Sequence, residues 1–296
     1  MRIFLLFVAL LAGSLVCAAA LTYPTWLLVS LVSIEPVHRV MHRVAMLAAL
    51  VGLVLLTRRL GLSNRESLGF GMPRRQFLQQ IAVGWICGVL LMTPLASLLL
   101  WLDIRDPRPD QDGKLLVLFA NAILSGFVIA FIEEIFFRGV LFTAVRRTSG
   151  KIAAIVAPSL LYASLHFLGG KLNVPADQVA WRHGFEVLVN LFERYADPVG
   201  LLDSFLALFT LGILLSLVRE RTGAIAGGIG LHAAGVAAIF IIRATTLVNP
   251  GDAQAGWVGN YDGVIGWAAL VWFAIIATVV ATWKRSLRPD AGNEVT

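Results

Sequence analysis

Stretches of about 20 residues without a charge recur along this chain, the length needed to cross a bilayer core of roughly 30 Å. The clearest are Ile3 to Leu21, Gln76 to Leu102, Ile152 to Gly170, Thr222 to Ile242 and Gly263 to Trp283. Val44 to Thr57 and Phe205 to Val218 are shorter, and Leu115 to Val145 is interrupted by Glu133, Glu134 and Arg138. The pattern predicts an all-α membrane protein, a single polytopic domain over 1–296 with about eight transmembrane helices. Composition agrees: 14% of the 296 residues are charged and mean hydropathy is +0.81, whereas a soluble domain carries roughly a quarter charged residues. Disorder needs low hydrophobicity and high charge, so it is excluded. Cys17 and Cys87 lie in apolar stretches and read as small core residues rather than a disulfide framework.

The net charge of +6 is explained by basic residues at membrane boundaries, with no nucleic-acid partner required. With the N-terminus inside, the larger share of Lys and Arg falls in the inner loops. Arg58, Arg59, Arg65, Arg74, Arg75, Arg146, Arg147, Lys151, Arg219, Arg221, Lys284, Arg285 and Arg288 are among them. The outer set is smaller: Arg39, Arg43, Arg105, Arg108, Lys114, Lys171, Arg182, Arg194 and Arg243. The expectation is a multi-pass protein of a bacterial inner membrane with both termini cytoplasmic. Met1 to Ala20 has some features of a secretory leader; with seven further spans behind it, it reads as the first transmembrane helix.

One outer loop has a pattern of its own. Trp181, Phe185, Leu188, Phe192 and Tyr195 recur at helical spacing, with Arg182, Glu186, Asn190, Glu193 and Arg194 opposite. This predicts an interfacial amphipathic helix packed against the mouth of the bundle.

Ionisable groups at membrane depth are costly, by roughly 2.5–3.5 kcal/mol even on the mildest scale. Three clusters incur that cost: Glu133-Glu134-Ile135-Phe136-Phe137-Arg138, Tyr162-Ala163-Ser164-Leu165-His166, and His232-Ala233-Ala234-Gly235-Val236. Glu134 and Arg138 are four apart, share a face and can pair. Glu133 points about 100° away and must find its partner on another helix, where the two histidines are the candidates. A carboxylate removed from water becomes a stronger base, which suits general-base chemistry. At 1.5 Å per residue, Glu133 lies about 20 Å from Arg146, His166 about 22 Å from Lys151 and His232 about 16 Å from Arg221. The three groups therefore fall in one layer. Around His232, Ala224 and Gly228 share its face and Gly223 and Gly227 lie beside it, small residues that let helices approach and leave room beside the histidine. His38, His42 and His183 read as solvated or interfacial.

These motifs resemble the CPBP family of intramembrane glutamic endopeptidases, which includes CAAX prenyl protease 2-type and lysostaphin resistance protein A-like proteins. The family pattern is Glu-Glu-x-x-x-Arg, Phe-x-x-x-His and His-x-x-x-Asn/Asp on successive helices. Here Glu133, Glu134 and Arg138 match the first element, and Tyr162 stands for Phe before His166. His232 is followed by Val236 where the family has Asn or Asp. The similar region, a CPBP-like catalytic core, covers about 115–245. The resemblance implies Glu133 and His166 as activators of water and His232 as a stabiliser of the oxyanion. Glu134, Arg138, Tyr162 and Val236 would support them. The substrate would be a membrane-embedded or membrane-adjacent peptide or protein, CAAX-type substrates among them. The usual donor at position 236 is missing, and one oxyanion donor is typically worth about 10²–10³ in rate.

A second reading is a non-catalytic CPBP-like peptide-binding or immunity protein that keeps the scaffold, and Val236 favours it. A proton-coupled transporter ranks third, because no inverted repeat is visible. No cofactor is expected. Zinc held by Glu133, His166 and His232 is the alternative way to activate water.

Overall fold

The computed structural model describes residues 2–109, 115–249, 251 and 255–282. Of the basic residues that set the expected orientation, Lys114, Lys284, Arg285 and Arg288 lie outside the described residues, as does Trp283 at the end of the last predicted span. Each predicted span is helical: α1 (Arg2–Ser30), α2 (Val37–Arg59), α3 (Arg74–Trp101), α4 (Leu115–Glu134), α5 (Phe142–His166), α7 (Leu202–Thr222), α8 (Ala226–Thr245) and α9 (Trp267–Thr282). A shorter helix, α6 (Trp181–Asn190), occupies the loop that carries the amphipathic pattern. The protein is an all-α, multi-pass membrane protein. Among the described residues, six helical runs are long and apolar enough to cross a membrane, with Leu115–His166 forming one run of 52 residues. That run folds back on itself. Phe137 and Tyr162 are 25 positions apart, yet their ring centroids are 5.3 Å apart, and the break lies at Gly150 (φ 84°, ψ −178°). A left-handed φ of this kind suits glycine, which has no Cβ to clash.

Helix α8 sits between α3 and α4, and small residues make that position available. A Cβ on Gly84 of α3 would fall 2.2 Å from the Gly227 carbonyl, and one on Gly230 would fall 2.1 Å from the Ile81 carbonyl. On the other flank, a Cβ on Gly126 of α4 would meet the Ala233 carbonyl at 2.5 Å. Backbones packed this closely gain dispersion contacts and need no polar partners, the usual device where lipid offers no hydrophobic drive.

At the end of the bundle where α3, α5 and α8 finish, two three-residue strands pair antiparallel, β1 (Arg105–Pro107) with β2 (Thr246–Val248). Arg105 locks them together. Its Nε donates to Thr246 Oγ1 at 2.6 Å, its Nη1 to the Gly263 carbonyl at 2.6 Å and its Nη2 to the Thr246 carbonyl at 3.1 Å.

Several expectations need correction. Cys17 and Cys87 are exposed on the outside of the bundle rather than in its core, because a lipid-facing surface is as apolar as the interior. His38 and His183 are buried. His38 Nδ1 lies 3.0 Å from the Leu172 carbonyl, and His183 Nδ1 accepts the Ala180 amide at 2.8 Å. Helix α6 packs on α1 as expected, with the Trp181 ring 5.5 Å from that of Tyr23, but its aromatic side is not its most buried face. Its buried edge is His183, Gly184 and Val187, and Gly184 approaches the Ala19 carbonyl of α1 so closely that a Cβ would be 2.1 Å away. Trp181, Phe185, Val189 and Phe192 remain exposed. The seventh span, α8, begins at Ala226 rather than Thr222, since Gly223 ends α7 in the left-handed conformation (φ 73°). Gly223 and Ala224 therefore belong to the connection and not to the His232 helix.

Candidate functional site

The Glu-Glu pair closes α4, and the next seven residues, Ile135–Leu141, are π-helical. A π-turn inserts an extra residue and rotates the helix beyond it, and such turns concentrate at functional sites. Nothing in the apolar pattern signals it. Within this segment Arg138 still reaches back to Glu134, Nη1 donating to Oε1 at 3.0 Å, with both side chains fully buried. Arg138 Nη2 donates to the Gly212 carbonyl of α7 at 3.1 Å. The Arg138 carbonyl in turn accepts from Arg219 Nε at 3.0 Å. By its place in the sequence Arg219 is a boundary charge, but it is buried and ties the π-turn to α7.

His232 stands beside both carboxylates. Its Nδ1 lies 3.1 Å from Glu134 Oε1, and its Nε2 lies 3.7 Å from Glu133 Oε2. Glu134 fits because position 228 is glycine: a Cβ there would sit 2.7 Å from Glu134 Oε2. The two glutamates are thus sorted by environment. Glu134 is enclosed between Arg138 and His232. Glu133 has a side chain 28% exposed; both carboxylates leave their Oε2 without a hydrogen-bond partner.

Tyr162 lies between the two histidines. Its hydroxyl is 3.4 Å from His232 Nε2, and its ring centroid is 4.3 Å from that of His166 and 5.8 Å from that of His232. The Arg138 guanidinium lies over the same ring at 4.6 Å, a stacked cation that holds the tyrosine in place. His166 is the last residue of α5, and its Nδ1 is 2.7 Å from the Tyr162 carbonyl. A carbonyl can only accept, so the neutral ring carries its proton on Nδ1 and keeps Nε2 as a base.

Glu133, Tyr162, His166, His232 and Val236 all line one cavity of about 250 Å³. Its other walls are mainly aliphatic and aromatic, the usual lining of a ligand site with a few placed polar groups. The depth expected from helical rise suits Glu133 and His166 better than His232. Measured from the start of α8, His232 is only about 9 Å along its helix, since the helix begins four residues later than the apolar run. Tyr261, Asp262 and Arg243 also line the cavity, at its loop end, and sequence reasoning does not find them. For Arg243 a signal exists, because it continues the face of His232 and Val236 at helical spacing. For Tyr261 and Asp262, in an irregular loop, there is none. Among the described residues no group of three or more His, Cys, Asp and Glu is gathered as a metal-ligand set.

Residues 115–238 match the family of Rce1-like proteins, type II CAAX prenyl endopeptidases, so the chain carries an Rce1-like domain of the CPBP/CAAX protease family. The match spans Glu133, Glu134, Arg138, Tyr162, His166, His232 and Val236. No match was found among curated proteins or among solved structures.

Proposed function

We propose that this chain, with its Rce1-like domain, is an intramembrane endopeptidase that hydrolyses peptide bonds of membrane-embedded or membrane-adjacent substrates by direct Glu/His activation of water. The observation that carries this reading is the partition of the two carboxylates around one cavity. Glu134 is fully buried with its Oε1 held between Arg138 and His232, while Glu133 lines the cavity with a side chain 28% exposed. In the reaction, Glu133 takes a proton from water, with the Nε2 base of His166 at the same cavity, and the oxygen of that water bonds to the carbonyl carbon. The tetrahedral oxyanion then needs donors. His232, held by Glu134 at Nδ1, donates from Nε2 when doubly protonated, and the Tyr162 hydroxyl beside it is a second donor. The proton returns to the leaving nitrogen as the C–N bond breaks, giving a free carboxylate and an amine.

No cofactor is required in this reading. The partners are the bilayer and a membrane-associated peptide or protein, CAAX-type sequences among them, and not nucleic acid. The reading sets the chain in a bacterial inner membrane, and the distribution of Lys and Arg supports both termini on the cytoplasmic side. The test is cleavage in detergent or liposomes against a membrane-peptide library, comparing wild type with Glu133→Ala. Cleavage by wild type alone is expected. Equal cleavage by both proteins removes Glu133 from the reaction. A second reading, a non-catalytic peptide-binding or immunity protein, is favoured by one observation: the cavity wall at 236 is valine, which donates nothing. Binding of library peptides by folded wild type without cleavage would select it.

A further inference from the structure

The turn between α2 and α3 is fastened to both elements that carry the candidate site. Residues 64–70 close on themselves, with Asn64 Oδ1 accepting the Ser67 amide at 2.8 Å and the Arg65 carbonyl accepting the Phe70 amide at 2.7 Å. Leu68 presses on the π-turn, where a Cβ on Gly139 would fall 2.7 Å from the Leu68 carbonyl. Just beyond the π-turn, Thr143 Oγ1 donates to the Ser67 carbonyl and Arg147 Nη2 to Ser67 Oγ, both at 2.8 Å. At the N-cap of α8, the Ile225 amide donates to the Gly69 carbonyl at 3.1 Å. The packed side of this turn thus touches the segment that carries Arg138 and the start of the helix that carries His232.

Its other side is exposed and basic. Between positions 58 and 75, five arginines (Arg58, Arg59, Arg65, Arg74 and Arg75) stand against one acid, Glu66, and all six are exposed. None of the five guanidinium groups makes a hydrogen bond or ion pair among the described residues. Neighbouring basic residues differ: Arg146 and Lys151 pair with Glu220 at 3.2 and 4.0 Å, and Arg147 is taken by Ser67. Leu55 lies one turn before Arg59 and Leu78 one turn after Arg74, and both are more than half exposed. The free charges therefore border a lipid-facing apolar surface.

We propose that this basic turn is a docking surface for anionic phospholipid headgroups, and that headgroups bound there hold the turn against the π-turn and α8. The inference goes beyond the endopeptidase reading and does not rest on it. Five like charges flanking one short turn repel one another and work against its packed conformation; an anionic headgroup removes that repulsion. Attraction to an anionic surface is worth about fivefold in affinity for each arginine near it. A soluble phosphate meets the same charges but not the apolar border. A bilayer supplies both, so the occupant is lipid. Basic residues at one end of a bundle orient the chain whatever they touch. Here they also flank a turn bonded to the site, so their neutralisation is felt at the site.

Full-length protein in neutral detergent is titrated with phosphatidylglycerol and with phosphatidylcholine of the same acyl chains, and bound lipid is counted by native mass spectrometry. Wild type is expected to prefer phosphatidylglycerol by about tenfold or more at low salt, since two arginines at about fivefold each already exceed that. The preference should shrink as salt is raised. Replacing all five arginines by Gln should remove it. Arg65→Gln with Arg74→Gln and Arg75→Gln, which keeps Arg58 and Arg59 to orient the chain, should remove much of it. Arg39→Gln with Arg43→Gln, at the opposite end of α2 where both pair with Glu35, should leave it intact. In nanodiscs, phosphatidylglycerol should slow hydrogen exchange of the Ile225 amide in wild type and not in the triple variant. Unfolding midpoints in phosphatidylcholine that match wild type show that the variants are folded. Equal binding of the two lipids by wild type, a preference that survives the substitutions, or its loss in the Arg39 and Arg43 control would each overturn the proposal. So would glycerol phosphate in solution that competes as well as the lipid, or exchange at Ile225 that ignores phosphatidylglycerol. None of these outcomes depends on hydrolysis, so the protease reading stands or falls separately, on Glu133→Ala.

Discussion

His232 Nδ1 lies 3.1 Å from Glu134 Oε1, the same oxygen that accepts from Arg138 at 3.0 Å. One carboxylate oxygen thus orients the imidazole and neutralises the guanidinium. Glu134 is held from two sides, and the ring it orients presents Nε2 to Glu133 and Tyr162.

The two glutamates should therefore fail differently. Glu133→Gln is expected to abolish peptide cleavage while leaving the thermal unfolding midpoint in detergent near that of wild type. Glu134→Gln strands a fully buried arginine, and breaking a buried pair in this way costs about 3–5 kcal/mol. It should lower the unfolding midpoint and the yield of folded protein. A stable, inactive Glu134→Gln beside an active Glu133→Gln would reverse the two assignments.

Activity is expected to survive prolonged treatment with a strong chelator, because the proposed water is activated by Glu133 and His166 alone. Loss on chelation with recovery on adding zinc, together with stoichiometric zinc by elemental analysis, would make Glu133, His166 and His232 ligands instead.

Val236 lines the cavity one turn beyond His232. Placing a donor there by Val236→Asn should raise the turnover number more than it changes KM, since the added amide acts on charge present only in the transition state. Burying an amide without a partner destabilises the fold, so rates are normalised to folded protein. An unchanged or slower rate would mean that position 236 does not face the developing oxyanion.

Tyr162→Phe removes one hydroxyl and keeps the ring that packs against Phe137 and under Arg138. It is expected to lower turnover by about tenfold or more, short of the full 10²–10³ or so that a dedicated donor supplies. Adding Val236→Asn to it should recover part of the loss. Steady-state kinetics on the four proteins of this cycle decide the point, and an unaffected Tyr162→Phe would leave His232 as the donor alone.

Gly84→Ala should destabilise the bundle by about 1–3 kcal/mol, the usual cost of overpacking. Its new Cβ would be driven into the Gly227 carbonyl, a backbone atom that cannot step aside. The same change at Gly13, which has open space around it, should be nearly silent. Unfolding midpoints that match for the two variants would mean that α3 and α8 separate at little cost.

Much of this architecture was legible because lipid imposes a simple rule on the chain. Every backbone polar group must be paired within its own segment, so apolar runs of sufficient length become helices. That is why eight runs in the sequence correspond to eight helical arms. The pairing of Glu134 with Arg138 is set by the four-residue interval alone, since side chains so spaced meet on one helix. The orientation of Val236 along the face of His232 is set in the same way. All of these are local relations, fixed by periodicity within one segment.

What only the tertiary structure decided lies between segments. The π-turn at Ile135–Leu141 is held by Arg219 and Gly212 of another helix, and no residue within it announces an extra turn. The contact of His232 with Glu134 depends on Gly228 leaving space opposite it. The exposure of Cys17 and Cys87 and the burial of His38 and His183 go against expectation, because an apolar segment can face lipid or protein with the same composition. Arg105 and Arg219 carry the charge expected at a membrane boundary, yet packing places both in buried hydrogen-bond networks. Sequence determined which segments are helices and which faces they offer. Which faces meet was decided by shape, where glycines let backbones touch and where a buried charge found its partner on a distant helix.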